Sequence, residues 1–168
     1  ILIVASNVEV RIYYEDTDCG GVVYYANYLK YFERARTQYL EDRGLSVSEL
    51  MQAGRVFVVV HAEVEYRASA YYGETLDIET TIPEMSPASI TFAHVVRERG
   101  SGRLIVEGSA RLAVTDGNGK VKRLDKKHQD LNEERKAKTD GSKRKGVDSE
   151  IESTKEELVE TLEEMRLN

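Results

Sequence analysis

Four strand-like runs follow one another from residue 56 to residue 114, and the short breaks between them constrain the fold more than any other feature. The runs cover 56–66, 75–82, 90–96 and 104–114, and apolar residues recur at every second position through most of each run. That period is typical of half-buried strands. The breaks are rich in Gly, Pro, Asn and Asp, and they are shorter than the dozen residues that a parallel crossover needs. The sequence therefore predicts antiparallel neighbours in one sheet.

The residues before these runs predict a first strand and one long helix. Alternate positions of the strand are occupied by Val8, Val10, Ile12 and Tyr14. Over 28–43 the spacing becomes helical, and one stripe consists of Leu29, Phe32, Ala35 and Tyr39 or Leu40. We expect Asn27 to be the N-cap of this helix and Gly44 its C′ residue, with a short second helix after Ser46.

One helix cannot cover both faces of a five-stranded sheet. The sequence therefore predicts an α+β fold in which a five-stranded antiparallel sheet wraps around the one long helix. Apolar surface that the helix leaves uncovered is expected to be buried between subunits, so we expect a homodimer or a homotetramer.

The charge distribution divides the chain into a domain, predicted at 1–131, and a charged C-terminal extension, predicted at 132–168. Over 126–147 eight Lys or Arg stand against four Asp or Glu, and over 148–168 two stand against eight. The first of these segments is typical of a linker and the second of a short helical tail. Few apolar side chains lie between 132 and 150, so we expect the extension to lie outside the domain.

Charge and cysteine content limit the classes of partner and compartment. A formal net charge of −6 gives no basic footprint across the chain, which argues against nucleic acid as a partner. The one cysteine, Cys19, cannot form an internal disulfide, and the apolar start is too short to span a membrane, so we expect a cytoplasmic protein. The three histidines lack the spacing of metal ligands, and we predict no metal site.

The segment that joins the first strand to the helix carries the strongest functional signal. Three acidic residues, Glu15, Asp16 and Asp18, come after the strand, and Gly20 and Gly21 follow before the helix begins. A carboxylate is thereby fixed in a tight turn just ahead of a helix N-terminus, where free N–H groups can stabilise developing negative charge. From the residues alone, a catalytic Asp18 and an Asp18 that only caps the turn both stay open.

The predicted order of one strand, one long helix and four further strands resembles that of the hotdog-fold acyl-CoA thioesterases, and so does the segment YEDTDCGGVVYYANYLKYFERART. The resemblance covers about residues 8–125, and it is nearest to the 4-hydroxybenzoyl-CoA thioesterase branch, to the type associated with the Tol–Pal cell-envelope gene cluster. It implies hydrolysis of acyl-CoA thioesters to free acid and CoA, with no cofactor. It also implies that Asp18 is the catalytic carboxylate, acting as general base or nucleophile.

The resemblance also implies the residues around this carboxylate. The family often has His at the position of Tyr25, so we expect the Tyr25 backbone N–H, rather than its side chain, to face the thioester carbonyl. The candidate substrate-binding residues of the turn and helix start are Gly20, Gly21, Val22, Tyr24, Asn27 and Tyr28. Some family members bind the CoA phosphates with basic residues before the fourth strand, but 83–87 contains none here. The remaining candidates for phosphate binding are Lys120, Lys122 and Arg123.

Other interpretations accompany this one. A hotdog scaffold that binds an acyl thioester or a protein partner without turnover would also tolerate Tyr25 and the uncharged segment at 83–87. A dehydratase of the same fold needs a His-based acid–base pair, and this turn region lacks one. We expect Glu15 and Asp16 to be turn or surface acids, Cys19 to be a buried or semi-exposed thiol rather than a nucleophile, and His94 to be a hydrogen-bonded core residue.

Overall fold

A five-stranded antiparallel sheet organises the residues that the structure, a computed structural model, describes, namely 5–86 and 88–121. The elements are β1 Ser6–Arg11, a 3-10 turn Tyr14–Asp16, α1 Asn27–Glu41, α2 Val47–Gln52, β2 Val56–Tyr66, β3 Thr75–Ser86, β4 Ser89–Glu98 and β5 Leu104–Thr115. The strand order across the sheet is β1-β3-β4-β5-β2, so that β1 and β2 form its edges. The predicted sheet with one long helix, the hotdog arrangement, is confirmed.

The strand faces that the period-2 pattern predicted are the buried faces of the sheet. All four inward positions of β4 are at most 1% exposed, namely Ile90, Phe92, His94 and Val96. The matching positions of β3 and β5 are largely buried as well, and they form two apolar clusters with the inner face of α1. The core therefore lies between α1 and one face of the sheet.

The helix approaches the sheet closely over Gly108 of β5. The ring of Phe32 in α1 stacks on the ring of His94, with centroids 4.5 Å apart and planes at 11°. A Cβ atom at position 108 would lie 2.6 Å from the Phe32 ring and 2.6 Å from the carbonyl oxygen of Glu63. The absence of a side chain at Gly108 therefore sets how deeply α1 can sit. The Nδ1 atom of His94 lies 3.0 Å from the Thr80 hydroxyl, which confirms a hydrogen-bonded core histidine.

Two side chains that were predicted to point inward are exposed. Tyr14 is 76% exposed, because β1 ends at Arg11 and the chain enters the 3-10 turn, where the Asp16 carboxylate accepts the Tyr13 N–H at 2.8 Å. Leu29 is 44% exposed, because α1 presents Tyr28 and Tyr31 to the core instead. The predicted assignment of both side chains was wrong.

The third strand is longer than the sequence predicted. The segment from Pro83 was expected to be a turn, but β3 continues to Ser86 after a register shift between Thr81 and Glu84. Proline removes a ladder donor, and irregular stretches of this kind are among the places where a sheet accepts it. The boundary predicted at Ile82 was therefore wrong.

The helix ends follow the prediction at two of the three residues named from the sequence. Gly44 has φ +78°, and the Leu45 N–H donates to the Leu40 carbonyl across it at 3.0 Å, so Gly44 is the C′ residue. The Ser46 hydroxyl accepts the Glu49 N–H at 3.3 Å and caps α2. Asn27 is not the N-cap of α1. It is the first helical residue, and its side-chain amide nitrogen, Nδ2, donates to the Asp16 carbonyl at 2.9 Å.

The charged extension at 132–168 and the domain boundary predicted at 131 lie outside the described residues, so both stay predictions. Within the described residues, no helix is long and apolar enough to cross a membrane.

Candidate active site

The acidic turn is the tip of a narrow hairpin between β1 and α1. Thr17 pairs with Val23 across this hairpin. The Asp18 N–H donates to the Val22 carbonyl at 2.9 Å, and the Asp18 carbonyl accepts the Gly21 N–H at 3.0 Å. Gly21 has φ +77°, a conformation that favours glycine. The hairpin returns directly into α1, so its tip and the start of the helix are held together.

The Asp18 carboxylate is exposed at this tip, and only one of its two oxygens accepts a hydrogen bond from the turn. Its Oδ1 atom accepts the Gly20 N–H at 2.8 Å. A Cβ atom at Gly20 would lie 3.1 Å from the same oxygen, so glycine lets the carboxylate fold back over the turn. The Oδ2 atom makes no hydrogen bond to any of the described residues. One oxygen therefore fixes the carboxylate, and the other is available as a base or nucleophile.

Asp16 holds the base of the hairpin. Its carboxylate oxygens accept the Tyr13 N–H at 2.8 Å and the Tyr31 hydroxyl at 2.9 Å. Burial, and then the hydrogen bond to Asp16, raise the pKa of Tyr31. The Asp16 carbonyl accepts the Tyr24 N–H at 2.8 Å. The prediction that Asp16 is a turn acid is confirmed.

The start of α1 offers backbone donors beside the hairpin. The Asn27 N–H donates to the Tyr24 carbonyl at 2.9 Å, which directs that carbonyl along the helix. The Tyr24 carbonyl and the Tyr25 N–H belong to the same peptide group, and in a trans peptide the C=O and N–H bonds point in opposite directions. The N–H of Tyr25 therefore points out of the helix N-terminus. Within the described part of the chain, the N–H groups of Tyr25 and Ala26 donate to no backbone or side-chain acceptor. They are the free donors that a helix N-terminus provides.

Tyrosine rings surround these donors. The rings of Tyr24 and Tyr25 are 43% and 62% exposed, and their centroids are 4.7 Å apart. Tyr28 is only 3% exposed, and burial raises its pKa to about 12, so it stays neutral at neutral pH. The Tyr66 hydroxyl donates to the Tyr25 carbonyl at 3.0 Å. Sequence reasoning missed Tyr66, although its place on the same strand face as Ala62 and Val64 was a signal that it lies on the helix side.

The predicted substrate-binding residues fall into two groups. The hairpin and the helix start bring together Gly20, Gly21, Val22, Tyr24 and Tyr25, all at least partly exposed. Asn27 and Tyr28 lie at the same place but are buried at 8% and 3% exposure, so they frame the site in this conformation. Their contact with substrate stays a prediction.

Lys120 lies at the other end of the sheet. It follows β5 in a turn in which the Asp116 N–H donates to the Lys120 carbonyl at 2.9 Å, next to the start of β2 at Val56. The Asp18 hairpin leads to Tyr25, whose carbonyl accepts the hydroxyl of Tyr66 at the far end of β2. The 11 residues of β2 span about 30 Å at ~3.3 Å per strand residue. A single chain therefore does not bring Lys120 to Asp18. Lys122 and Arg123 lie outside the described residues.

Two further expectations concern Cys19 and metal ions. Cys19 is exposed at the hairpin tip, so the expectation of a buried or semi-exposed thiol was wrong. Among the described residues, no group of three or more His, Cys, Asp or Glu is placed to hold a metal ion.

Comparison with known proteins identifies the family. The model of the thioesterase-like superfamily matches residues 13–149, and the chain belongs to this superfamily. The chain is 47% identical over 83 residues to the acyl-CoA thioester hydrolase YbgC of Escherichia coli O6:H1, a match that covers 49% of this chain. The chain spans 62% of the length of that relative.

Solved structures have the same fold. The DHNA-CoA thioesterase of Staphylococcus aureus superposes with a TM-score of 0.70 at 28% identity, covering 77% of this chain and 87% of its own. A 4-hydroxybenzoyl-CoA thioesterase mutant complexed with 4-hydroxybenzoyl-CoA superposes with a TM-score of 0.67 at 22% identity, covering 76% and 97%. The resemblance inferred from the sequence is thereby confirmed at the level of family and fold. The association with the Tol–Pal cluster stays a prediction.

Proposed function

We propose that the protein hydrolyses acyl-CoA thioesters to free acid and CoA, with Asp18 as the reacting carboxylate. The observation that carries this proposal is that one hairpin-to-helix segment holds both the free Asp18 Oδ2 and the free N–H of Tyr25. Membership of the thioesterase-like superfamily and the similarity to YbgC support the reaction class.

The chemistry requires a base or nucleophile and a site for negative charge. Asp18 either takes a proton from a water molecule that attacks the thioester carbonyl carbon, or attacks that carbon itself to form an anhydride that water then cleaves. In both routes the carbonyl oxygen becomes negative, and the N–H groups of Tyr25 and Ala26 stabilise it. The C–S bond then breaks and the thiolate of CoA leaves. A thiol with a pKa of about 8.5 leaves without a strong acid, so Tyr25 in place of His is compatible with turnover.

A second copy of the chain completes this site in the proposal. The edge strand β2 carries a run of exposed valines, Val58, Val59 and Val60, at 42% to 54% exposure. An exposed apolar edge strand is a template for pairing with another chain. We propose a homodimer in which two β2 edges pair antiparallel around a two-fold axis, so that the sheet continues from one copy into the other.

This dimer has a consequence for Lys120. Antiparallel pairing reverses the second copy, so that the start of its β2 lies beside the end of β2 in the first copy. The partner's Lys120 turn then approaches the Asp18 hairpin, although within one subunit the turn and the hairpin lie at opposite ends of β2. In the proposal, Lys120, Lys122 and Arg123 of one copy bind the phosphates of a CoA whose thioester lies at Asp18 of the other. No metal or further cofactor takes part, and the single exposed thiol fits a reducing cytoplasm.

The reaction class is tested by incubating the full chain with a panel of aliphatic and aromatic acyl-CoAs and measuring release of free thiol. We expect turnover of at least one class that is abolished in Asp18→Asn. The rival function is a scaffold that binds acyl thioesters without turnover, which the exposure of Asp18 and Tyr25 in a single chain would also allow. Saturable binding of acyl-CoA with no thiol release across the panel would favour the scaffold and refute hydrolysis.

The shared site is tested by mixing two inactive variants. One is Asp18→Asn, and the other carries Ala at positions 120, 122 and 123. If the site combines Asp18 of one copy with basic residues of the other, each mixed dimer contains one intact site, and an equal mixture recovers about a quarter of wild-type activity. No recovery after subunit exchange would place all of these residues in one chain and refute the shared site.

A further inference from the structure

We propose that Tyr66 is a positioning residue for the reaction at the Asp18 hairpin, because its hydroxyl fixes the peptide group between Tyr25 and Ala26. This inference rests on the proposed hydrolysis and assigns a role to a side chain of β2, 41 residues along the chain from the peptide that it holds.

The hydrogen bond joins the end of β2 to the peptide group just before α1. The Tyr66 hydroxyl is the donor, and the Tyr25 carbonyl accepts at 3.0 Å. The ring of Tyr66 also meets the buried ring of Tyr28 edge-on, with centroids 5.9 Å apart. The ring contact sets the direction of the Tyr66 side chain, and the hydroxyl then fixes the first turn before α1.

The bound carbonyl determines where a free donor points. The described residues contain no cis peptide bond, so the Ala26 N–H is antiparallel to the Tyr25 carbonyl that Tyr66 binds. With the carbonyl turned towards β2, the Ala26 N–H faces away from it, and no described residue accepts this hydrogen. A donor on the carbonyl also polarises the peptide, which strengthens the N–H as a donor. Tyr66 therefore acts on the oxyanion through the backbone and does not contact the reacting atoms.

The test substitutes the hydroxyl alone. Tyr66→Phe keeps the ring and its contact with Tyr28, and it removes only the hydrogen bond. We expect kcat for acyl-CoA hydrolysis to fall about tenfold with KM within about twofold, because the donors act on charge that develops in the transition state. The melting temperature is expected to stay within a few degrees. Tyr72→Phe is the matched control, since Tyr72 is similarly exposed and its hydroxyl makes no hydrogen bond within the described residues.

A second measurement does not depend on turnover. The carbonyl ¹³C resonance of Tyr25 is expected to shift in Tyr66→Phe and to stay in place in Tyr72→Phe. An unchanged resonance, an unchanged kcat, or a loss of rate that follows a large loss of thermal stability would each overturn the positioning role. Wild-type activity distinguishes the two levels of failure. If wild type turns over acyl-CoA and Tyr66→Phe is equally fast, only the role of Tyr66 fails, whereas an inactive wild type refutes the hydrolysis and the positioning role together.

Discussion

The depth at which α1 sits on the sheet is predicted to depend on Gly108, and Gly108→Ala tests this directly. The added Cβ would lie 2.6 Å from the Phe32 ring and 2.6 Å from the Glu63 carbonyl oxygen. Ordinary contacts of this kind are near 3.5–4 Å, so about 1 Å of displacement is required, and one of the two obstacles is backbone that cannot rotate away. Overpacking of a core costs about 1–3 kcal/mol, and we place this substitution at the upper end.

The measurement is the free energy of unfolding in urea, compared between wild type and the variant. We expect Gly108→Ala to lose about 3 kcal/mol with an unchanged urea slope. We also expect slower hydrolysis, since a displaced α1 carries the Tyr25 N–H with it. Gly117→Ala is the control, because a Cβ there meets nothing within 4 Å. A stability change below about 0.5 kcal/mol in Gly108→Ala, equal to that of the control, would refute the close approach of helix and sheet.

Three further predictions concern pH, the side chain at position 25 and the extension. Burial, with a smaller contribution from Arg36, lowers the pKa of His94 to about 3, so the unfolded chain binds a proton below pH ~6.5 that the folded chain does not. The His94 contribution to stability is therefore full above that pH and is lost towards pH 3 by up to about 1.4 kcal/mol per unit, and urea titrations between pH ~6.5 and pH ~5 should show a steeper fall in wild type than in His94→Leu. Tyr25→Phe is expected to hydrolyse acyl-CoA within a few-fold of wild type, and a loss comparable to that of Asp18→Asn would instead give the phenol a chemical role. Truncation after Asp130 is expected to leave folding and hydrolysis intact, and an insoluble or inactive product would move the domain boundary towards the C-terminus.

The sheet could be predicted from the sequence because its signals are local. Every second residue of β4 is apolar or is His94, and each of these side chains is buried. Short breaks with Gly and Pro allow antiparallel neighbours only, and the pairing of β3 with β4 and of β4 with β5 follows. The order β1-β3-β4-β5-β2 adds two pairings between distant segments, and the resemblance to the hotdog family implied that arrangement.

The errors at Tyr14 and Asn27 arose where a side-chain hydrogen bond overrides a periodic pattern or a capping preference. Tyr14 continues the alternation of β1, but the Asp16 carboxylate closes a 3-10 turn and takes Tyr14 out of the strand. Asn27 has the side chain of an N-cap, but that side chain binds the Asp16 carbonyl across the hairpin. The hydrogen bond from Tyr66 to the Tyr25 carbonyl could not be predicted from local spacing, because the two residues are 41 positions apart.

The hairpin that forms the candidate site could be predicted from the sequence, but the position of the basic candidate residues relative to it could not. The acid, the two glycines and the helix start lie within a dozen residues, and their local spacing defines the hairpin. The position of Lys120 depends on the length of β5 and on the pairing of β5 with β2, which place it at the far end of the sheet. In the proposed homodimer, the arrangement of two copies brings these residues together.

The most direct test of catalysis by Asp18 is the single-turnover hydrolysis rate of Asp18→Asn with an acyl-CoA that the wild type turns over. An asparagine keeps the shape and can still accept the Gly20 N–H through its oxygen, so the turn is expected to persist and the melting temperature to stay unchanged. Loss of the carboxylate base or nucleophile is expected to lower the rate at least about 100-fold, or about 3 kcal/mol in the barrier. A rate within a few-fold of wild type in a folded Asp18→Asn protein would contradict the assignment of Asp18 as the catalytic carboxylate.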